Sequence, residues 1–280
     1  MAGRKIEQRV EEQLRRAAAR ATHEIARRRG DKLGMVFGCG YPKSGTVWLC
    51  QMLGSYLGSP YPQNYLLPVA MRSVIHSHAD YDPRLPPTVY VTRDGRDVMT
   101  SLYFYNMRAL TLPRNPKHKS KLRSKYKHAF GAGFDPQDIR RNLPRFIELE
   151  AANPTGAHVT WQEHVRDWHR TTSTVAHVSY EEMLATPTES LMRVMGEVTG
   201  EEPDEQRAQL AAERYSFATA TQRKPGQEDR SSFIRKGTAG DWRNHFTREA
   251  GEVFDRHAGE ALVECGYAEN RRWYEGLEAS

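Results

Sequence analysis

Met35-Val36-Phe37-Gly38-Cys39, then Gly40-Tyr41-Pro42-Lys43-Ser44-Gly45, then Thr46-Val47-Trp48-Leu49-Cys50-Gln51-Met52-Leu53-Gly54-Ser55-Tyr56-Leu57 is the stretch whose reading decides the fold. A short apolar run, a loop of turn formers and an apolar-periodic segment read as strand, tight loop and helix. The order recurs at Thr88-Val89-Tyr90-Val91-Thr92, Arg93-Asp94-Gly95 and a helix from Arg96 to Met107. Val175 to Ser179 gives another strand, with helical patterns from Glu181 to Thr199, and Trp161 to His169 gives a further helix. Strands alternating with helices predict an α/β fold whose parallel sheet is covered on both faces.

The 280 residues carry 41 Lys+Arg against 35 Asp+Glu, a formal charge of +6, and 38% hydrophobic residues. That composition excludes collagen-like, low-complexity and disordered chains. Three cysteines, Cys39, Cys50 and Cys265, with no CxxC pair, speak against a disulfide framework or a structural zinc site and suit a reducing, cytoplasmic setting. The start is charged from Arg4 onward and has no signal-peptide core. The charge-free run Ser44 to Met71 is broken by Pro60, Pro62 and Pro68, so it reads as core plus loop and no transmembrane segment is expected.

Residues Lys5 to Arg29 repeat Ile6, Val10, Leu14, Ala17, Ala21 and Ile25 at helical spacing. This predicts an N-terminal amphipathic helix within residues 1–32, docked by its apolar stripe or pairing subunits in a homodimer, ahead of one domain over 33–280. Residues 1–32 hold ten basic and five acidic side chains, so the excess charge sits mostly there and is not a nucleic-acid footprint. Arg108 to Lys127 holds eight basic residues and no acid, and reads as a surface loop.

A strand running through a Gly-containing loop into a helix N-terminus is an anion cradle, since backbone N–H groups and the positive helix end converge there. Lys43 adds a full charge, Ser44 and Thr46 add hydroxyls, and Gly45 lets the backbone come close to a phosphate. The loop is not a Walker A sequence, because Lys43 precedes Ser44-Gly45-Thr46. In the second unit Asp94 fits a helix N-cap and Asp97 a first-turn acid that complements the dipole. Arg93, at the carboxyl end of a strand, and Ser101, two turns past Asp94, suit a second phosphate. Arg235-Lys236-Gly237-Thr238-Ala239-Gly240-Asp241-Trp242 is a third basic, glycine-punctuated loop.

Together these loops resemble the cytosolic sulfotransferases that use 3′-phosphoadenosine 5′-phosphosulfate (PAPS). Tyr41 to Trp48 is similar to their Y-P-K-S-G-T-x-W 5′-phosphosulfate loop, Arg93 to Tyr105 to their 3′-phosphate motif with Arg and Ser eight apart, and Arg235 to Trp242 to their R-K-G-x-x-G-D-W loop. Trp161 to Val165 and Tyr180 to Met183 also match, from about residue 35 to about 265. The resemblance implies a P-loop NTPase-like three-layer domain and PAPS as co-substrate, with PAP as product and no metal. It implies that Lys43, Ser44, Gly45, Thr46 and Val47 hold the phosphosulfate, that Trp48 stacks on adenine near Tyr180 and Phe217, and that Arg93, Ser101, Arg235, Lys236 and Gly237 bind the 3′-phosphate. Where the family has Thr-Ser-Phe, this chain has Tyr215-Ser216-Phe217.

The family's K-T-H-L-P corresponds to His76-Ser77-His78-Ala79-Asp80, which makes His78 the expected general base and completes a catalytic set of His78, Lys43 and Ser101; His76 and His164 are the weaker candidates. A histidine is suited to that task near neutral pH. The acceptor is expected to be a small molecule or a glycan. Tyr61, Tyr65, Leu66, Leu67 and Met71 could line an apolar pocket, and the basic run could recruit an anionic acceptor. Three alternatives stay open at this point: a metal site starting from His76-x-His78-x-Asp80, a phosphotransferase on the same scaffold, and a protein that binds PAPS without turnover.

Overall fold

The computed structural model describes residues 2–62, 67–111, 116–131, 133–170 and 175–279. They form two compact units with interleaved segments. The first comprises residues 1–40, 45–92 and 170–216; the second comprises 41–44, 93–169 and 217–280.

The first unit is built on four parallel strands, β1 (Val36–Gly40), β2 (Val74–Ser77), β3 (Thr88–Thr92) and β4 (Val175–Ser179), in the order β2-β1-β3-β4. The register aligns Gly38 with Val89 and Val89 with Ala176, so one row of apolar side chains shares a face. That face is covered by α2 (Thr46–Leu57), α8 (Pro187–Thr199) and α9 (Glu205–Arg214). There Leu49, Leu53, Val89, Val91, Val178, Leu191 and Ala211 form one buried cluster. Phe37 points to the other face, edge-on to His23 of α1 (Ala2–Leu33) at 5.2 Å. The expected amphipathic helix is therefore present. The row that docks is not the expected stripe, however: the second half is buried through Ala18, Thr22 and Ala26, one position on, while Val10, Leu14 and Ala17 are exposed and Ala21 and Ile25 only half-buried.

Within this unit the expected β1, β3, β4 and α2 fall where periodicity placed them. The helical stretch after β4 is two helices, α7 (Tyr180–Ala185) and α8, because Pro187 cannot continue the first and instead opens the second. Ser179 and Glu182 close a reciprocal capping box at the start of α7.

The second unit contains α3 (Gly95–Thr111), α4 (Pro116–Phe130), α5 (Ile139–Ala152), α6 (Trp161–His169), α10 (Phe217–Thr221), a 3-10 turn (Asp241–Asn244) and α11 (Arg248–Glu264). Its core joins Tyr103, Tyr126, Leu143, Phe146, Trp161, Phe246, Phe254 and Leu262. The basic run read as a loop is mostly helix. Leu122 and Tyr126, four residues apart, are buried in this core, Asn106 donates to the Tyr126 hydroxyl at 2.8 Å, and Lys125 pairs with buried Glu150 at 2.8 Å. Tertiary burial of one stripe outweighs the repulsion among its cations. Arg114 of that run lies outside the described residues.

α3 is capped by Asp94, whose side chain accepts the Arg96 N–H at 3.0 Å. The Arg96 guanidinium grips both Asp94 oxygens and lies 3.8 Å over the Trp242 ring. Both charges of this pair are buried, and their mutual hydrogen bonds offset the desolvation.

Candidate active site

All four strands run the same way, so the chain leaves their carboxyl ends at Tyr41, His78, Arg93 and Tyr180. Open parallel sheets bind ligands beyond that edge.

Lys43 has a φ of 74°, in the left-handed region that a non-glycine residue adopts only where the surroundings enforce it. Arg93 supplies part of that enforcement: its Nη1 donates to the Lys43 carbonyl at 3.1 Å and its Nη2 to the Thr238 carbonyl at 3.3 Å. The Lys43 ammonium lies 4.2 Å over the Phe233 ring and 4.7 Å over the Tyr105 ring. Burial, and after it the charges of Arg93, Arg108 and Arg235, push its pKa down to about 7. Four cations thus converge in one unit.

Gly45 caps α2 with a φ of 93° and no side-chain acceptor, and a Cβ there would meet the Tyr180 ring at 2.7 Å. The Ser44 and Thr46 hydroxyls are buried with no hydrogen-bond partner among the described residues. Buried hydroxyls left without partners are costly unless a ligand completes them. Val47 is half-buried, and Trp48 stands edge-on to Tyr180 at 5.8 Å.

Arg235 and Lys236 both bond Asp241, which also accepts from Asn244 at 2.9 Å and contacts His245 at 3.2 Å. Burial would raise the Asp241 carboxyl, but these partners hold it far below the usual range. Gly237 has a φ of 66°, and a Cβ on it would fall 2.0 Å from the Phe217 ring. Gly237→Ala is therefore expected to cost on the order of 2 kcal/mol of stability, from backbone strain plus displacement of Phe217. An unchanged urea midpoint would contradict this. Ser101 is half-buried on α3, two turns past the cap.

His78 follows β2 directly, and its Nδ1 lies 2.6 Å from the Gly40 carbonyl oxygen. A carbonyl can only accept, so Nδ1 holds the proton and Nε2 is the basic nitrogen. The His76 ring stands edge-on to His78 at 4.5 Å, and Tyr61 lies 6.5 Å beyond His76. Burial, then His78, pushes the His76 pKa down to about 3. His164 is fully buried on α6, edge-on to Tyr41 at 5.6 Å, as a core histidine. Of the expected acceptor pocket, Leu67 and Met71 are exposed, while Tyr65 and Leu66 lie outside the described residues. Tyr215 packs against the core of the first unit.

Sequence reasoning missed Tyr105, Arg108 and Phe233 around Lys43, and the role of Asp97. The aromatic pair carries no motif, and Asp97 looked like an ordinary first-turn acid.

The model of the sulfotransferase domain matches residues 86–266, well over half of the chain. The chain belongs to the sulfotransferase domain family. Sulfotransferase 1A1 of Rattus norvegicus is 25% identical over 272 residues, covering 81% of this chain and 84% of the relative. Among solved structures, mouse sulfotransferase SULT7A1 complexed with PAP superposes with a TM-score of 0.56 at 21% identity, over 91% of this chain and 94% of that one. Retinol dehydratase in complex with retinol and PAP gives 0.57 at 17% identity, over 82% and 81%. The fold expected from the three loops is thus that of this sulfotransferase. Among its described residues no helix is long and apolar enough to cross a membrane.

Proposed function

We propose that this sulfotransferase moves the sulfuryl group of PAPS to a hydroxyl or amine of a small-molecule or glycan acceptor, with residues 33–280 acting as the enzyme domain. The observation that carries the reading is the convergence of Lys43, Arg93 and Arg235 in one unit, where the Ser44 hydroxyl is also buried without a hydrogen-bond partner among the described residues. Cations held at a cost and a hydroxyl left without a partner both suit a multiply charged phosphate ester.

In this reading Lys43, Ser44, Gly45, Thr46 and Val47 take the phosphosulfate, and Trp48, Tyr180 and Phe217 take the adenine. Arg93, Ser101, Arg235, Lys236 and Gly237 take the 3′-phosphate. The acceptor oxygen or nitrogen attacks sulfur in line, His78 Nε2 takes its proton, and the bond from sulfur to the bridging oxygen breaks. Charge develops on that oxygen, and Lys43 meets it there. The 3′,5′-bisphosphate PAP leaves.

The test is transfer of labelled sulfuryl from PAPS across a panel of phenols, alcohols, amines and glycans. Labelled product is the expected result; a protein that binds PAPS yet labels none of them would contradict the enzymatic reading. Arg93→Ala is expected to weaken PAP binding at least tenfold, since one charge-assisted contact contributes about 1.5–3 kcal/mol. Turnover at saturating donor should stay within severalfold. A variant with full affinity would remove Arg93 from the donor site.

A further inference from the structure

Asp97 sits in the first turn of α3, yet its side chain is completely buried. The cap of that helix is Asp94, so Asp97 is not needed to finish it. Its carboxylate is spent on residues 143 and 145 positions away: Oδ2 accepts the Gly240 N–H at 2.7 Å and Oδ1 the Trp242 N–H at 2.9 Å. The Arg93 guanidinium lies 3.6 Å from Oδ2 and donates to the Thr238 carbonyl of the same loop. Gly240, at a φ of 77°, opens the 3-10 turn that begins at Asp241. One carboxylate therefore fixes the backbone on both sides of Asp241, and Asp241 in turn holds Arg235 and Lys236.

We infer that Asp97 is a positioning residue that pins the Arg235–Trp242 loop beside Arg93, so that the cations for the donor's 3′-phosphate are assembled before the donor arrives. The inference rests on the donor reading given above. Burial raises the Asp97 carboxyl pKa; Arg93 opposes this, the Asp94 charge adds to it, and the two loop N–H groups oppose it. A fully buried carboxylate is unfavourable unless its oxygens are satisfied, and here the partners are the loop and Arg93. Assembling like charges in advance removes the ordering cost from the binding step.

Asn at 97 keeps the shape but turns a donor toward one of two N–H groups. Asp97→Asn is expected to weaken PAP binding at least tenfold by calorimetry, while the affinity for adenosine 5′-phosphosulfate, which lacks the 3′-phosphate, stays within twofold. Equal losses for both ligands, or an unchanged PAP affinity, would overturn the inference. Should the variant not fold, amide hydrogen exchange on the wild-type protein reads the same point. The Gly240 and Trp242 amides should be protected without any ligand. Exchange at unprotected rates until PAP is added would overturn the pinning. A wild-type protein that binds neither ligand would remove the donor reading, and with it the purpose assigned to the clamp, even with both amides protected.

Discussion

Lys43→Ala lowers the turnover number by about 10²–10³-fold, the loss typical of removing one group that stabilises charge developing in the transition state. PAP affinity falls by much less, because Arg93, Arg235 and Lys236 remain. Lys43 sits in a left-handed conformation, its carbonyl accepting from Arg93 and its ammonium against Phe233 and Tyr105 and facing the fields of three arginines. An ammonium in that position is destabilised until negative charge arrives, so its interaction strengthens as the leaving oxygen gains charge. Steady-state kinetics at saturating PAPS separate the two effects. Equal losses in turnover and affinity would make Lys43 a plain anchor.

The same residue sets a pH dependence. Its pKa without donor is lowered to about 7, so the charged form is lost as pH rises through that value. A bound anion restores it. Donor affinity should therefore fall above about pH 7, and binding at pH 8 should take up a proton, seen as an enthalpy that depends on the buffer.

His78→Ala costs about 10²–10⁴-fold in turnover, the usual contribution of a positioned general base. The bond from His78 Nδ1 to the Gly40 carbonyl fixes the tautomer and makes Nε2 the basic nitrogen, the atom that takes the acceptor proton in the proposed mechanism. His78→Asn, which can keep a donor toward Gly40 but has no basic nitrogen, should lose as much. His76 is neutral at any physiological pH, with its pKa at about 3, and His76→Ala should stay within tenfold. Rate constants for the three variants at saturating PAPS and acceptor decide it. If His76→Ala carried the large loss and His78→Ala the small one, the base would be His76.

Much of this arrangement was legible in the chain because its signals are local. The apolar runs at Val36 and Thr88, each ending in a glycine- or aspartate-bearing turn, give strand, loop and helix without reference to anything distant. The helix α4 was not legible, because its run of cations hides the two residues, Leu122 and Tyr126, whose burial makes it helical. Nor was the clamp at Asp97. A carboxylate that bonds Gly240 and Trp242 leaves no trace in spacing or periodicity, and only the folded chain brings them together. Nor does the sequence say which way Leu67 and Met71 face: apolar residues near a loop carry no such signal, and both are exposed.

The most direct measurement is a calorimetric comparison of PAP with adenosine 5′-phosphate on the wild-type protein. Arg93, Arg235 and Lys236 should make the bisphosphate bind about a hundredfold more tightly, as two or more charge-assisted contacts would. Equal affinities for the two nucleotides would contradict the account.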